Sequence, residues 1–150
     1  MTDVSVKIRL ADAIAEDFER DLLQDGVASE KIEAQVKRSK ERITSAPVVI
    51  LLCLDMTEMD HYPDLGRQKA ERTMAMQSVA AAGVQLLLGA HAEGLGGVWV
   101  CSPLFTHETI KSTLELPETW EPQGLFFVGY GAQNPEPRER KNIESISLFY

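Results

Sequence analysis

The sequence predicts an α+β domain with a small, mostly antiparallel sheet and helices packed around one central apolar helix. Three observations predict it. Two helix-period segments open the chain, and three short apolar runs follow, separated by helical stretches. A long segment closed by Gly94 is apolar on nearly every side from Val79 to Ala90. Helices first, then strands interleaved with helices, is an α+β order.

The first helix is set by Leu10, Ile14, Phe18 and Leu22, which recur every four residues until Gly26 stops the run. Asp12, Glu16, Glu19 and Asp21 fall on its wet side. A second helix starts at Ser29, read as its N-cap, with Glu30 in the first turn. Ile32, Val36 and Ile43 mark its inner side, and Lys37, Arg38, Lys40 and Arg42 read as a solvated face. After Pro47, the run Val48 to Leu54 is apolar without alternation, the pattern of a strand covered on both faces.

Asp55 to Pro63 reads as a loop, and a long helix runs from about Asp64 to Glu93. A helix apolar all round is a buried one. Gly97 to Cys101 is a second strand, and Thr106 caps a short helix with Ile110 and Leu114 turned inward. Trp120 and Pro122 read as a turn, and Gly124 to Tyr130 as a third strand. The tail beyond Gly131 ends on Ile143, Ile146, Leu148 and Phe149, apolar enough to dock on another surface.

The length of 150 residues fits one domain spanning 1–150. A net charge of −8 repels phosphate backbones and anionic lipid, so neither nucleic acid nor a membrane is expected as a partner. Val79 to Ala90 alone is too short to span a bilayer. The N-terminal MTDVSVKIRL has no apolar signal core, so the cytoplasm is the expected compartment. Cys53 and Cys101 sit in apolar runs and read as two buried, unpaired thiols.

Chemistry-bearing motifs are sparse. Gly94-Leu95-Gly96-Gly97 closes a helix and opens a strand, the reverse of a dinucleotide fingerprint, so it reads as a turn. His91-Ala92-Glu93 lacks the downstream cysteine pair of zinc deaminases, and no metal site is expected. No phosphate loop or nucleophile elbow is present, and no catalytic side chain is assigned. Arg138, Arg140 and Lys141 form a basic cluster on an acidic chain, suited either to a cofactor phosphate or to solvent.

Three blocks resemble the FMN-dependent nitroreductase superfamily. They are Met76 to Leu88 running into Gly94-Leu95-Gly96-Gly97-Val98-Trp99; Leu116-Pro117 with Trp120-Glu121-Pro122 and Phe127-Val128-Gly129-Tyr130; and Pro135-Glu136-Pro137-Arg138-Glu139-Arg140. Ala46-Pro47-Val48-Val49 and His61-Tyr62-Pro63-Asp64 make the chain most similar, within that superfamily, to the nitroreductase-like C-terminal domain of bacterial coenzyme F420 γ-glutamyl ligase. The resemblance implies hydride transfer from NAD(P)H through FMN to a small acceptor, and an intertwined homodimer. It implies that Arg138 and Arg140 meet the FMN phosphate, and that the backbone of Cys101, Ser102, Pro103 and Leu104 passes the flavin ring. The family's acidic residue in that loop is replaced by Pro103 or Leu104.

The family's Arg-Arg-Ser-x-Arg and Pro-x-x-x-Asn-x-Gln-Pro-Trp segments, which contact the flavin, do not occur in these 150 residues. The chain is therefore expected to be a version truncated at its N-terminal side, with weak or no FMN binding on its own. Two other readings stay open: an F420-biosynthesis domain acting on the deazaflavin or its polyglutamate tail, and a non-catalytic dimeric remnant.

Overall fold

A computed structural model describes residues 1–132 and 136–150. Helix α1 spans Val4–Gln24. Asp3 caps it by accepting from the backbone of Ser5 and Val6, and Gly26, at φ +70°, turns the chain out of it. Helix α2, Ser29–Ser45, follows after a four-residue connection and packs against α1. Its N-cap is Ala28, which has no side-chain oxygen to offer; Ser29 is the first helical residue rather than the cap. Lys40 reaches back to Asp12 at 2.6 Å, which fixes α1 and α2 as an antiparallel hairpin. The buried Lys7 ammonium donates to the Ala46 carbonyl at 2.7 Å and satisfies the end of α2.

Three strands form one antiparallel sheet in the order β1-β3-β2, with β1 at Val48–Asp55, β2 at Gly96–Val100 and β3 at Trp120–Gly129. Helix α3 runs Leu65–Ala92 between β1 and β2, capped by Asp64, whose carboxylate accepts from Arg67 N–H. Gly94, at φ +76°, then makes the helix-to-strand turn. Helix α4 is His107–Leu114.

The sheet separates two helical layers. Leu125 and Phe127 face α1 and α4, in a core with Leu10, Ile14, Ile43, Val49 and Ile110. Phe126, between them, points the other way and meets Trp99, beneath Gly83 of α3. This is the period-two alternation of a strand buried on both faces.

Five expectations need correction. The covered central strand is β3, whereas β1 is an edge strand in which only Val49 and Leu54 are fully buried. Trp120 and Pro122 belong to β3 and form no turn. A register shift between Leu52 and Cys53 pairs Cys53 with Pro122 and Leu52 with Gly124, so Gln123 is bulged out. A bulge is where a strand tolerates a proline without an N–H. The strand also stops at Gly129, short of Tyr130.

Cys101 is exposed and Cys53 half-buried, so they are not two core thiols; both are free, and burial pushes the Cys53 thiol up. Finally, α3 is not enclosed. Only Glu71, Ala75 and Gly83 are buried along it, because the sheet covers one narrow stripe. By length and composition the whole helix is apolar enough to cross a membrane, although Val79 to Ala90 alone is short; 11% of its most apolar window is buried.

Candidate functional site

The loop expected to pass a cofactor ring follows β2 as a single 3-10 turn, Ser102–Leu104. Pro103 is fully buried and anchors it. The Ser102 carbonyl gathers three donors: Phe105 N–H at 2.9 Å, Thr106 N–H at 3.2 Å and Thr106 Oγ1 at 3.1 Å. Thr106 does precede α4, but its hydroxyl binds Ser102 instead of capping the helix. These bonds hold the turn rigid and push Cys101, Leu104 and Phe105 outward, with Phe105 79% exposed. Four expected site residues thus form one local unit, and what it presents is backbone and apolar surface. No carboxylate stands in this turn.

Inward of the turn, Ser102, Phe105 and Thr106 line a cavity of about 590 Å³. Its floor is Ile14, Phe18, Leu22 and Val100. Its rim carries Asp21 and Asp25 from α1 and Arg38 and Arg42 from α2. Arg38 and Arg42 line this cavity from the exposed side of α2, in keeping with the solvated face expected for that basic run.

Helix α4 is held beside the turn by Thr109, whose hydroxyl donates to the buried carboxylate of Asp17. That bond is the main cause holding the Asp17 carboxyl below the ordinary range; burial opposes it, and Arg20 at 2.6 Å reinforces it. Across the sheet, Arg72 of α3 grips Glu121 of β3 through both guanidinium nitrogens and lowers the Glu121 carboxyl pKa.

Arg138 and Arg140 lie on the exposed tail and form no ion pair among the described residues. Pro135, which opens that third motif block, lies outside the described residues. The apolar end of the tail is also exposed, with Leu148 and Phe149 near 80%.

A three-stranded antiparallel sheet between helical layers, with a rigid turn beside a mixed cavity, is an α+β scaffold. The chain belongs to the nitroreductase family, which it matches over residues 2–130. A protein of Methanothermobacter thermautotrophicus described as an NADH dehydrogenase/NAD(P)H nitroreductase is 31% identical over 108 residues, covering 71% of this chain and 51% of that protein. The chain thus spans about half the length of that curated relative. Among solved structures, a BluB-like flavoprotein from Clostridium difficile superposes with a TM-score of 0.78 at 21% identity, covering 100% of this chain and 77% of that one. Nitroreductase A from Vibrio parahaemolyticus gives a TM-score of 0.66 at 16% identity, covering 99% and 54%. The solved structures bear on the fold alone.

Proposed function

We propose that this chain works as a cytoplasmic, single-domain subunit of a homodimeric, FMN-dependent NAD(P)H oxidoreductase acting on a small acceptor. The family match over residues 2–130 carries this reading. The flavin, when bound, would supply the hydride transfer, and the protein would supply position and electrostatics. The residues present suit the group. Arg138 and Arg140, unpaired among the described residues, would hold its phosphate. The backbone of Cys101 to Leu104 and the exposed Leu104 would lie along its ring. In the homodimer proposed here, the arginines of one copy would meet the turn of the other.

The narrower F420 reading rests on Ala46 to Val49 and His61 to Asp64 alone. In the structure the latter segment is a loop tied to α3, with Tyr62 N–H donating to Gln68 at 2.9 Å and Arg67 stacked over the Tyr62 ring.

The 150 residues lack two flavin-contacting family motifs, so we expect this chain to bind FMN weakly. The test is oxidation of NADH and NADPH with saturating added FMN. Flavin-dependent turnover supports the oxidoreductase. None at saturating FMN overturns it and leaves a non-catalytic dimer, while purification with stoichiometric flavin overturns the weak-binding claim.

A further inference from the structure

We propose that Thr106 is a positioning residue that presets the Ser102 turn, before any flavin is bound, for contact with the flavin ring. The inference rests on the oxidoreductase reading, which lays the backbone of Cys101 to Leu104 along that ring. It adds a side chain which that reading leaves out.

One carbonyl organises the turn. Ser102 C=O accepts from Phe105 N–H, Thr106 N–H and the Thr106 hydroxyl, at 2.9, 3.2 and 3.1 Å. A carbonyl oxygen has two lone pairs, so three donors saturate it. The oxygen is therefore held against the start of α4 and is not available to a ligand on the outer side. Pro103 is fully buried and fixes the middle of the turn, which leaves Leu104 53% exposed.

The Thr106 hydroxyl serves this turn in place of its own helix. Thr106 is the N-cap residue of α4, yet its side chain makes no cap hydrogen bond. A capping threonine ordinarily accepts from the first-turn N–H groups and stabilises its helix by about 1 kcal/mol. Here the hydroxyl donates backward to Ser102, and the eight-residue α4 forgoes its cap. Thr106 is only 5% exposed, so water scarcely reaches this bond. Helix α4 has a separate fastening in the Thr109–Asp17 bond to α1. Local preferences set aside in this way are typical of functional positions.

A turn fixed in advance loses little conformational entropy when a ring docks on it, whereas a turn that must first be ordered costs affinity. That cost falls on the ring and not on the phosphate, so it should be the same for FMN and for riboflavin.

The experiment compares Thr106→Val, Thr106→Ala and Thr106→Ser in the full chain. In the flavin-free wild type, hydrogen exchange should show the Phe105 and Thr106 amides already protected. Unprotected amides there would overturn a preset turn, whatever the variants do. Val and Ala lack the hydroxyl, and each serves if the other fails to fold, as circular dichroism would show. Both should speed exchange at Phe105 and weaken FMN and riboflavin by the same factor, about three- to tenfold. Ser keeps the hydroxyl and should restore both readouts, which a hydroxyl that merely supported α4 would not do for flavin affinity. Unchanged flavin affinity in a folded Val or Ala variant, or a Ser variant as weak as Val, would overturn the proposal and leave the oxidoreductase standing. A greater loss for FMN than for riboflavin would trace the effect to the phosphate and overturn it too. A wild-type chain that binds neither flavin would overturn the oxidoreductase reading and the proposal with it.

Discussion

Gly124 lies so close to the Trp99 indole that a Cβ at position 124 would fall well under 3.0 Å from the ring nitrogen. On the other side Gly83 of α3 presses on the same ring and on Phe126, whose ring centroid is 5.1 Å from that of Trp99. The indole is thus clamped between β3 and α3, and two glycines make room for it. Gly124→Ala should destabilise the protein by about 1–3 kcal/mol through overpacking, since the ring cannot swing aside. Gly83→Ala gains about 1 kcal/mol of helix propensity and should still lose on balance. Urea unfolding of the two variants measures both; a neutral Gly124→Ala would show that the ring has room to move.

Asp17 gives the stability a defined acid dependence. Its folded pKa is depressed, chiefly by the Thr109 hydroxyl and then by Arg20, against the effect of burial. A depressed carboxylate contributes stability above its unfolded pKa of about 3.9, and loses it as pH falls through the folded value. Thr109→Val should therefore cost about 1–3 kcal/mol near neutrality, and less as pH drops from about 6 to about 3. Denaturation midpoints across that range are the readout. A cost that stays constant with pH would mean that the hydroxyl does not favour the ionised carboxylate.

The phosphate assignment to Arg138 and Arg140 predicts a ligand-specific loss. Replacing both by Ala should weaken FMN far more than riboflavin, because only FMN carries the phosphate. Charge-assisted hydrogen bonds of this kind contribute about 1.5–3 kcal/mol each. Equal losses for the two flavins in a fluorescence titration would place the arginines elsewhere.

What could be read from the sequence was what local chemistry dictates. Asp64 and Gly94 bracket α3 because a carboxylate cap and a glycine turn are written in single residues. The helical periods of α1 and α2 showed their buried sides for the same reason. Strand order was not legible. Val48 to Leu54 and Gly124 to Val128 have equally apolar sequences, and only pairing makes β3 central and β1 an edge. The bulge that admits Pro122 is likewise a property of two strands together. At the candidate site, Cys101 to Leu104 could be placed by motif, but the cavity behind the turn joins residues 14 to 106 and follows no local pattern. Ser29 misled because a good capping residue stood one position inside the helix start.

The exposure of α3 yields the last prediction, an obligate homodimer. Read alone, the apolar stretch Val79 to Ala90 demands burial, yet within one chain the sheet covers a single stripe of the helix. Val84 is 49% exposed and Leu88 57%, and Val98 of the neighbouring edge strand is 52% exposed. Soluble monomers rarely carry contiguous apolar patches of this kind. Pairing two copies about a two-fold axis would bury the face on both. The tail beyond Pro137, whose Ile143, Ile146, Leu148 and Phe149 are all exposed, could then cross to the partner and cover a sheet edge. Obligate interfaces bury on the order of 2,000–5,000 Å² in total, more than a few side chains supply, so both surfaces should take part. Light scattering at low micromolar concentration should therefore show a dimer for the full chain. Val84→Glu with Leu88→Glu should yield a monomer or an aggregate, because a charge would be desolvated at each position. Deleting the tail after Pro137 should weaken the dimer without unfolding the core, since no tail residue belongs to that core. A stable, folded monomer of the full chain would refute the dimer. A tail-deleted chain that stays equally dimeric would keep the α3 interface and remove the crossing tail from it.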